Sequence, residues 1–407
     1  MKKQVLLLSV ISMMAITGCS KEEKKPDYSN LFTLVSPEDT CMVNAKVKEY
    51  TDKMYAQRAA AGVEAELENT IVDPLYDEST KVSNFKGDYD ENVPLELSFT
   101  VDESIKDETF KVRYWVEGES STYKEVEPTD GKVTLANLFR STKYEWKVVS
   151  SEGKESKVES FTTGDYIRFL TCGSLFNVRD NGGWTTLDGR HIKQGLVYRG
   201  GEINEHTFSN HNQNVFGDDD PAKKIFVDDF GIRVEIDLRA ESEADGQNSC
   251  YMNVAGQDSS DPRFVQFTRQ NIGSYHSAIG STSDQAKIKV IFEDYLAHAD
   301  EKPVYYHCYG GADRTGTIGF LLGAILGMSY TDLIIDYEAT TFSNNLKEHD
   351  RDSDQYTHFP EFIAAIKKWS FYDSNKPLSE VIETFLTQTC KVSQGSIDRI
   401  KEIMLED

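Results

Sequence analysis

Val304-Tyr305-Tyr306-His307-Cys308-Tyr309-Gly310-Gly311-Ala312-Asp313-Arg314-Thr315-Gly316 decides how this chain is read. Its first four residues are a short apolar run that predicts a buried strand. Beyond it, Ile318, Leu321, Leu322, Ile325 and Leu326 recur at helical spacing and predict a helix with one buried face. A cysteine, five residues and an arginine therefore lie on a turn between a strand and a helix. Each part of that turn suits a phosphoryl group. A loop curled at a helix N-terminus offers backbone N–H groups and the positive end of the helix dipole. Gly310 and Gly311 allow unusual dihedrals and let the backbone approach closely. Arg314 can hold two oxygens with its planar fork. The same donors favour Cys308 as a thiolate nucleophile, and Thr315 can offer that thiolate a hydroxyl. Tyr309, Gly310, Gly311, Ala312, Asp313 and Arg314 are the candidate substrate-binding residues. His-Cys-x5-Arg-Ser/Thr arises by accident in a chain this long on the order of once in a thousand.

Outward from the loop, strands and helices alternate from about Asp165 to the end. Ile232, Val234, Ile236 and Leu238 predict a second strand, and Ile397, Ile400, Ile403 and Met404 a last amphipathic helix. Residues 165–407 are thus expected to form an α/β domain whose central sheet is covered by helices on both faces. Residues 78–164 differ. Leu95-Glu96-Leu97-Ser98-Phe99 and Phe110-Lys111-Val112-Arg113-Tyr114-Trp115 alternate in polarity, and Asp130-Gly131 and Glu152-Gly153 mark turns, as in a small all-β sandwich. Residues 19–77 read as a polar tether followed by a helical segment. That helix is expected to open at Ser36-Pro37-Glu38-Asp39 and to run as a spacer toward Glu68.

The first 18 residues read as a signal peptide. Lys2 and Lys3 precede an apolar run, Val5 to Ile16, too short to span a bilayer comfortably. Ile16-Thr17-Gly18-Cys19 resembles a bacterial lipobox, which implies lipidation at Cys19 and a membrane-anchored protein of the cell envelope, outside the cytoplasm. With 44 Lys and Arg against 68 Asp and Glu, the formal net charge is -24, which excludes a general attraction to nucleic acid or anionic membrane. Six cysteines are too few for a disulfide scaffold of 407 residues, and Cys41, Cys172, Cys250 and Cys390 receive no role. His206 and His211 lack metal-ligand spacing and lie in a polar stretch ending in Asp218-Asp219-Asp220. No metal and no cofactor are expected.

The central loop resembles the signature of the protein tyrosine phosphatase superfamily, and its Asp-Arg-Thr-Gly ending is closest to the atypical bacterial branch of tyrosine and lipid phosphatases. Asn177-Val178-Arg179-Asp180-Asn181-Gly182-Gly183, Val197-Tyr198-Arg199-Gly200-Gly201-Glu202 and Ile236-Asp237-Leu238-Arg239-Ala240-Glu241 resemble that branch too, in the expected order. The resemblance implies that Cys308 attacks phosphorus and forms a phosphocysteine, which water then hydrolyses without a metal. It implies Asp313 as general acid, with Asp237 and Asp180 as alternatives, and His307 as a neighbour that tunes the thiolate. Two departures stand out: Ala312 where phosphoinositide-active relatives often carry lysine, and Gly200 in place of a common serine. Leu135-Ala136-Asn137-Leu138 with Thr142-Lys143-Tyr144-Glu145-Trp146-Lys147-Val148 resembles a fibronectin type III module, in which the tyrosine begins a strand at a sheet corner. A protein or glycan partner is expected for that module. The activity expected is that of a protein tyrosine or mixed-specificity phosphatase acting on a phosphorylated protein or small phosphomonoester. The alternatives are a phosphoinositide or inositol phosphate phosphatase and a catalytically inactive surface binding module.

Overall fold

The computed structural model describes residues 26–60, 78–85, 92–173, 175–203, 224–244, 259–343, 351 and 358–406. Cys19 and its lipobox, His206, His211 and Cys250 lie outside the described residues.

Seven strands come first: Phe32–Val35 (β1), Leu95–Val101 (β2), Phe110–Val116 (β3), Lys124–Val126 (β4), Lys132–Leu135 (β5), Lys143–Ser150 (β6) and Glu159–Thr162 (β7). They form two antiparallel sheets, β1-β2-β5 and β4-β3-β6-β7. Strand periodicity explains the pairing. Along β6, Tyr144, Trp146 and Val148 point inward and are buried, while Lys143 is exposed. They meet Leu97 and Phe99 of β2 and Val133 and Leu135 of β5 in one apolar cluster. Tyr144 closes the corner before its own strand, its hydroxyl accepting from Phe139 N at 2.9 Å.

Two features of the N-terminal region depart from expectation. The tether expected from residue 20 to about 35 does not run that far, because Phe32–Val35 pairs with β2 as an edge strand. The helix does not open at Ser36. Ser36 Oγ accepts from Trp146 Nε1 at 3.0 Å. The helix is Ala45–Ala60 (α1), and Asn44 Oδ1 accepts from Lys46 N and Val47 N at its start. It is no spacer. Val47, Tyr50 and Met54 enter the core of the following domain, and the Tyr50 hydroxyl donates to the buried Glu338.

That domain is built on Arg179–Asp180 (β8), His191–Ile192 (β9), Val197–Gly200 (β10), Val234–Asp237 (β11), Gln266–Arg269 (β12), Val304–His307 (β13) and Leu405–Glu406 (β14). Five strands make one sheet, ordered β12-β11-β13-β10-β8, parallel except for β8; β9 and β14 pair separately. The helices are Tyr275–Gly280 (α2), Thr282–Val290 (α3), Asp313–Leu326 (α4), Tyr330–Glu338 (α5), His358–Ile366 (α6), Leu378–Thr384 (α7) and Gln394–Met404 (α8). Parallel strands covered on both faces read as continuous buried runs, and β10, β11 and β13 are buried at every residue. The α4 helix has more than one buried face: Thr315 through Leu326 are all buried. No helix among the described residues is long and apolar enough to cross a membrane.

The two units share a polar seam. Arg168, 4% exposed, donates through Nε to Leu138 O at 2.9 Å and through Nη2 to Asn137 O at 2.6 Å, and pairs through Nη1 with Asp180. Arg140 pairs with Asp165 and stacks on Trp184, 4.6 Å from its ring centre.

Candidate active site

Gly200, His307 and Asp237 stand side by side at the carboxyl ends of β10, β13 and β11. Sites in open parallel sheets form beyond those ends. Cys308 is the first residue past β13 and is 3% exposed. The chain then curls back to begin α4 at Asp313.

Every carbonyl of the curl is engaged. Cys308 O lies 3.2 Å from His307 Nδ1. Tyr309 O accepts from Glu202 N at 3.1 Å. Gly310 O accepts from Asn177 Nδ2 at 3.0 Å, and Gly311 O from Arg199 Nη2 at 3.1 Å. Ala312 O accepts from Tyr275 Oη at 3.2 Å and from Gly316 N at 2.7 Å. A peptide plane whose carbonyl is tied outward presents its amide on the opposite side. The amides of Gly310, Gly311 and Ala312 have no acceptor among the described residues. Together with the N-terminus of α4 they make a cradle of donors suited to an oxyanion. Gly311 has φ +67°, and a Cβ there would strike the backbone of Gly200 and Gly201. Gly310 does not need a positive φ. Gly200 stands where the resemblance expects serine because a Cβ would overlap the Tyr305 hydroxyl, which donates to Gly201 O at 2.7 Å.

The donors that shape the curl are themselves fixed. Arg199 Nη1 and Arg179 Nε bind the two oxygens of Asp336 on α5, at 2.6 and 2.8 Å. Arg179 Nη1 also donates to Asn177 Oδ1 at 2.5 Å. Burial pushes the Asp336 carboxyl up, but Arg199 and Arg179 outweigh burial and hold it below the ordinary carboxylate value. Two arginines and one aspartate thus form a buried support beneath the loop.

Arg314 is held by Glu243. Its Nη1 and Nη2 donate to the two Glu243 oxygens at 2.6 and 2.9 Å. A planar guanidinium has five N–H groups, so this pair leaves others for a ligand. Glu243 carries its charge readily, since Arg314 holds its carboxyl below the usual value. Thr315 is fully buried, and its Oγ1 has no hydrogen-bond partner among the described residues. His307 is fully buried, with Nε2 3.0 Å from Glu235 Oε1.

The three candidate acids differ in setting. Asp180 accepts from Gly182 N and Gly195 N at 2.7 Å and pairs with Arg168, so its oxygens are taken by structure. Asp237 binds Arg239 and Arg269. Burial pushes its carboxyl up, but His307 and Arg239 overcome burial and hold it at about 2. A group that acidic retains no proton to give near neutrality. Asp313 is half-buried in the first turn of α4, beside Arg314 and in the electrostatic field of the Tyr275 hydroxyl.

A family model described as tyrosine phosphatase family matches residues 170–406. The chain belongs to the tyrosine phosphatase family. No curated protein matches it. Among solved structures, the sensor domain of the anti-sigma factor RsgI4 of Pseudobacteroides cellulosolvens is similar over 17% of this chain and 78% of its own, at 19% identity and a TM-score of 0.15, an overlap too small to bear on the site.

In this phosphatase the loop residues Cys308 through Thr315 and His307 come together at one sheet end, as the sequence places them. Asn177, Arg199 and Glu202 lie in stretches the sequence singled out, but their contacts to loop carbonyls were not legible there. Glu243 lies two residues past the third stretch, and Tyr275 and Asp336 carry no local motif at all. Glu235 and Asp237 did offer a signal: acids in a strand otherwise reading as buried must have partners.

Proposed function

We propose that this phosphatase is a cysteine-dependent phosphomonoesterase acting on phosphotyrosine or with mixed protein specificity. The observation that carries the reading is the outward engagement of every carbonyl from Cys308 to Ala312, which leaves a ring of amides around the space before Cys308. In the first step the Cys308 sulfur attacks phosphorus; an S–P bond forms, the P–O bond to the leaving group breaks, and Asp313 gives that oxygen a proton. In the second, water attacks the phosphocysteine with Asp313 taking its proton, and phosphate and the thiolate are released. Arg314 holds two phosphoryl oxygens. Thr315, whose buried hydroxyl is otherwise unsatisfied, is the donor we assign to the thiolate once the site is occupied, and His307 adds its field from the base of the loop.

Ala312, the Glu243 carboxylate on Arg314 and the acidic balance of the chain favour singly phosphorylated substrates over inositol polyphosphates, which need added cations. The test is phosphate release from a panel of phosphopeptides, phosphoinositides and inositol phosphates, with Cys308→Ser as control. Turnover is expected on phosphotyrosyl peptides and none from the variant. Substantial activity in Cys308→Ser would sink the thiolate mechanism.

We also read residues 1–18 as a signal peptide and Cys19 as the lipidation site that anchors the protein in the cell envelope, and the two N-terminal sheets as a fibronectin type III-like module for a protein or glycan partner. Three strands facing four and the Tyr144 corner support the module. Cys19→Ala is expected to release the chain from membranes; unchanged membrane attachment and mature mass would rule the anchor out.

A further inference from the structure

We propose that Tyr275 is a positioning residue that clamps the first turn of α4 so that the last amides of the oxyanion cradle face the phosphoryl group. The inference rests on the reading of the Cys308 loop as that cradle.

Tyr275 is in an unusual state for an aromatic residue. It is 1% exposed and has φ +45°, in the left-handed region that a bulky side chain rarely enters. Such a conformation persists only where the surroundings over-determine it. Here they do so from both ends of the residue. The backbone N donates to Thr317 Oγ1 at 2.7 Å, and that hydroxyl donates on to Asp313 O at 2.9 Å. The side-chain hydroxyl reaches Ala312 O at 3.2 Å. The ring between them is fixed by edge contact with Tyr337 of α5 and by Phe362 and a stacked His358 of α6. One residue from outside the loop therefore holds Ala312 O directly and Asp313 O through the Thr317 hydroxyl, where the curl becomes helix.

This grip bears on the chemistry because of what those two carbonyls orient. The peptide planes they belong to carry the amides of Asp313 and Arg314. The plane through Ala312 also sets the start of Asp313, the proposed acid. The hydroxyl of Tyr275 is close enough to Cys308 and Asp313 for both to bear on its ionisation, which burial already pushes well above the usual phenol range. Near neutral pH it therefore keeps its proton and donates a hydrogen bond. Its role is geometric.

The sequence of the loop itself carries the mark of the clamp. A Cβ on Gly316 would sit 2.6 Å from the Tyr275 hydroxyl. The glycine that ends Asp313-Arg314-Thr315-Gly316 is therefore required by this side chain crossing the helix, in addition to any demand of the loop.

Tyr275→Phe keeps the ring, its packing and the backbone, and removes only the hydroxyl. The expected result is a kcat lower by about tenfold with KM for an aryl phosphate within about twofold, because the amides are misaimed for the transition state more than for bound substrate. Orthovanadate, which takes up the trigonal bipyramidal geometry of phosphoryl transfer, should bind about tenfold more weakly. The melting temperature should stay within a few degrees, since one partly redundant hydrogen bond is removed. A lower melting temperature with unchanged kcat and vanadate affinity would make Tyr275 a packing residue and overturn the proposal. So would a rise in KM alone, which marks substrate contact. If the unmodified phosphatase binds no vanadate, the cradle reading falls and the clamp with it; if it binds vanadate and Tyr275→Phe binds it equally, only the clamp falls.

Discussion

Asp313 is the residue on which the proposed leaving-group step turns, and its setting makes a sharp expectation. Asp180 and Asp237 are committed to buried arginines, whereas Asp313 stands in the first turn of α4 next to Arg314. Asp313→Asn should slow hydrolysis of aryl phosphates most where the leaving group is poor. A poor leaving group must be protonated as the P–O bond breaks, while a good one departs as an anion. General acid catalysis contributes typically about a hundred- to ten-thousand-fold, so the slope of rate against leaving-group pKa should steepen visibly. The check is a series of substituted phenyl phosphates. Equal losses across the series would make Asp313 structural and leave Cys308 and Arg314 in place. Asparagine also preserves size and hydrogen bonding, so loss of the loop is a lesser concern than with alanine.

At the scale of elements, two short pieces carry more than their length suggests. The strand β8 has two residues, and as in any strand they point to opposite faces. Arg179 faces the support under the Cys308 loop and meets Asp336. Asp180 faces the N-terminal sheets and meets Arg168, which is itself held by the carbonyls of Asn137 and Leu138. One strand thus registers the Cys308 loop against the N-terminal unit. The helix α5 does the same from the other side: Asp336 holds Arg179 and Arg199, and Glu338 receives Tyr50 of α1 and Arg351. Buried charges of this kind add little net stability, but removing one partner leaves the other stranded, typically at about 3–5 kcal/mol. The pairs therefore fix geometry more than they add stability.

The whole molecule follows from that arrangement. The chain enters the N-terminal sheets at β1, leaves to place α1 in the core of the phosphatase domain, and returns at β2. Removing α1 would open the phosphatase core, because Val47, Tyr50, Met54, Val82 and Phe85 share one apolar cluster with Phe169 and Phe342, and Arg168 and Arg140 tie the sheets to that domain through Asp180 and Asp165. We expect the soluble chain to unfold in a single calorimetric transition whose calorimetric and van't Hoff enthalpies agree. A chain beginning at residue 165 should fail to fold alone. Two resolved transitions, or a stable phosphatase domain lacking α1, would show that the docking is superficial.

Much of this was written in local sequence. The short apolar strand, the Cys-x5-Arg turn and the helical spacing after it lie within about twenty consecutive residues, so the strand–loop–helix and its cysteine needed no distant contact to be recognised. The alternation in β2, β3 and β6 was equally local. What the sequence could not determine is who holds the loop. Asn177, Arg199, Glu202, Tyr275 and Asp336 reach it from separate segments, and only packing brings them within 3 Å or so of its carbonyls or of each other. The start of α1 was misread for a related reason: Ser36 has the right chemistry for a cap, but Trp146, more than a hundred residues away, takes its hydroxyl. Hydrogen-bonding capacity is a property of a residue type and can be read from a sequence, whereas the partner that uses it is chosen by the tertiary structure.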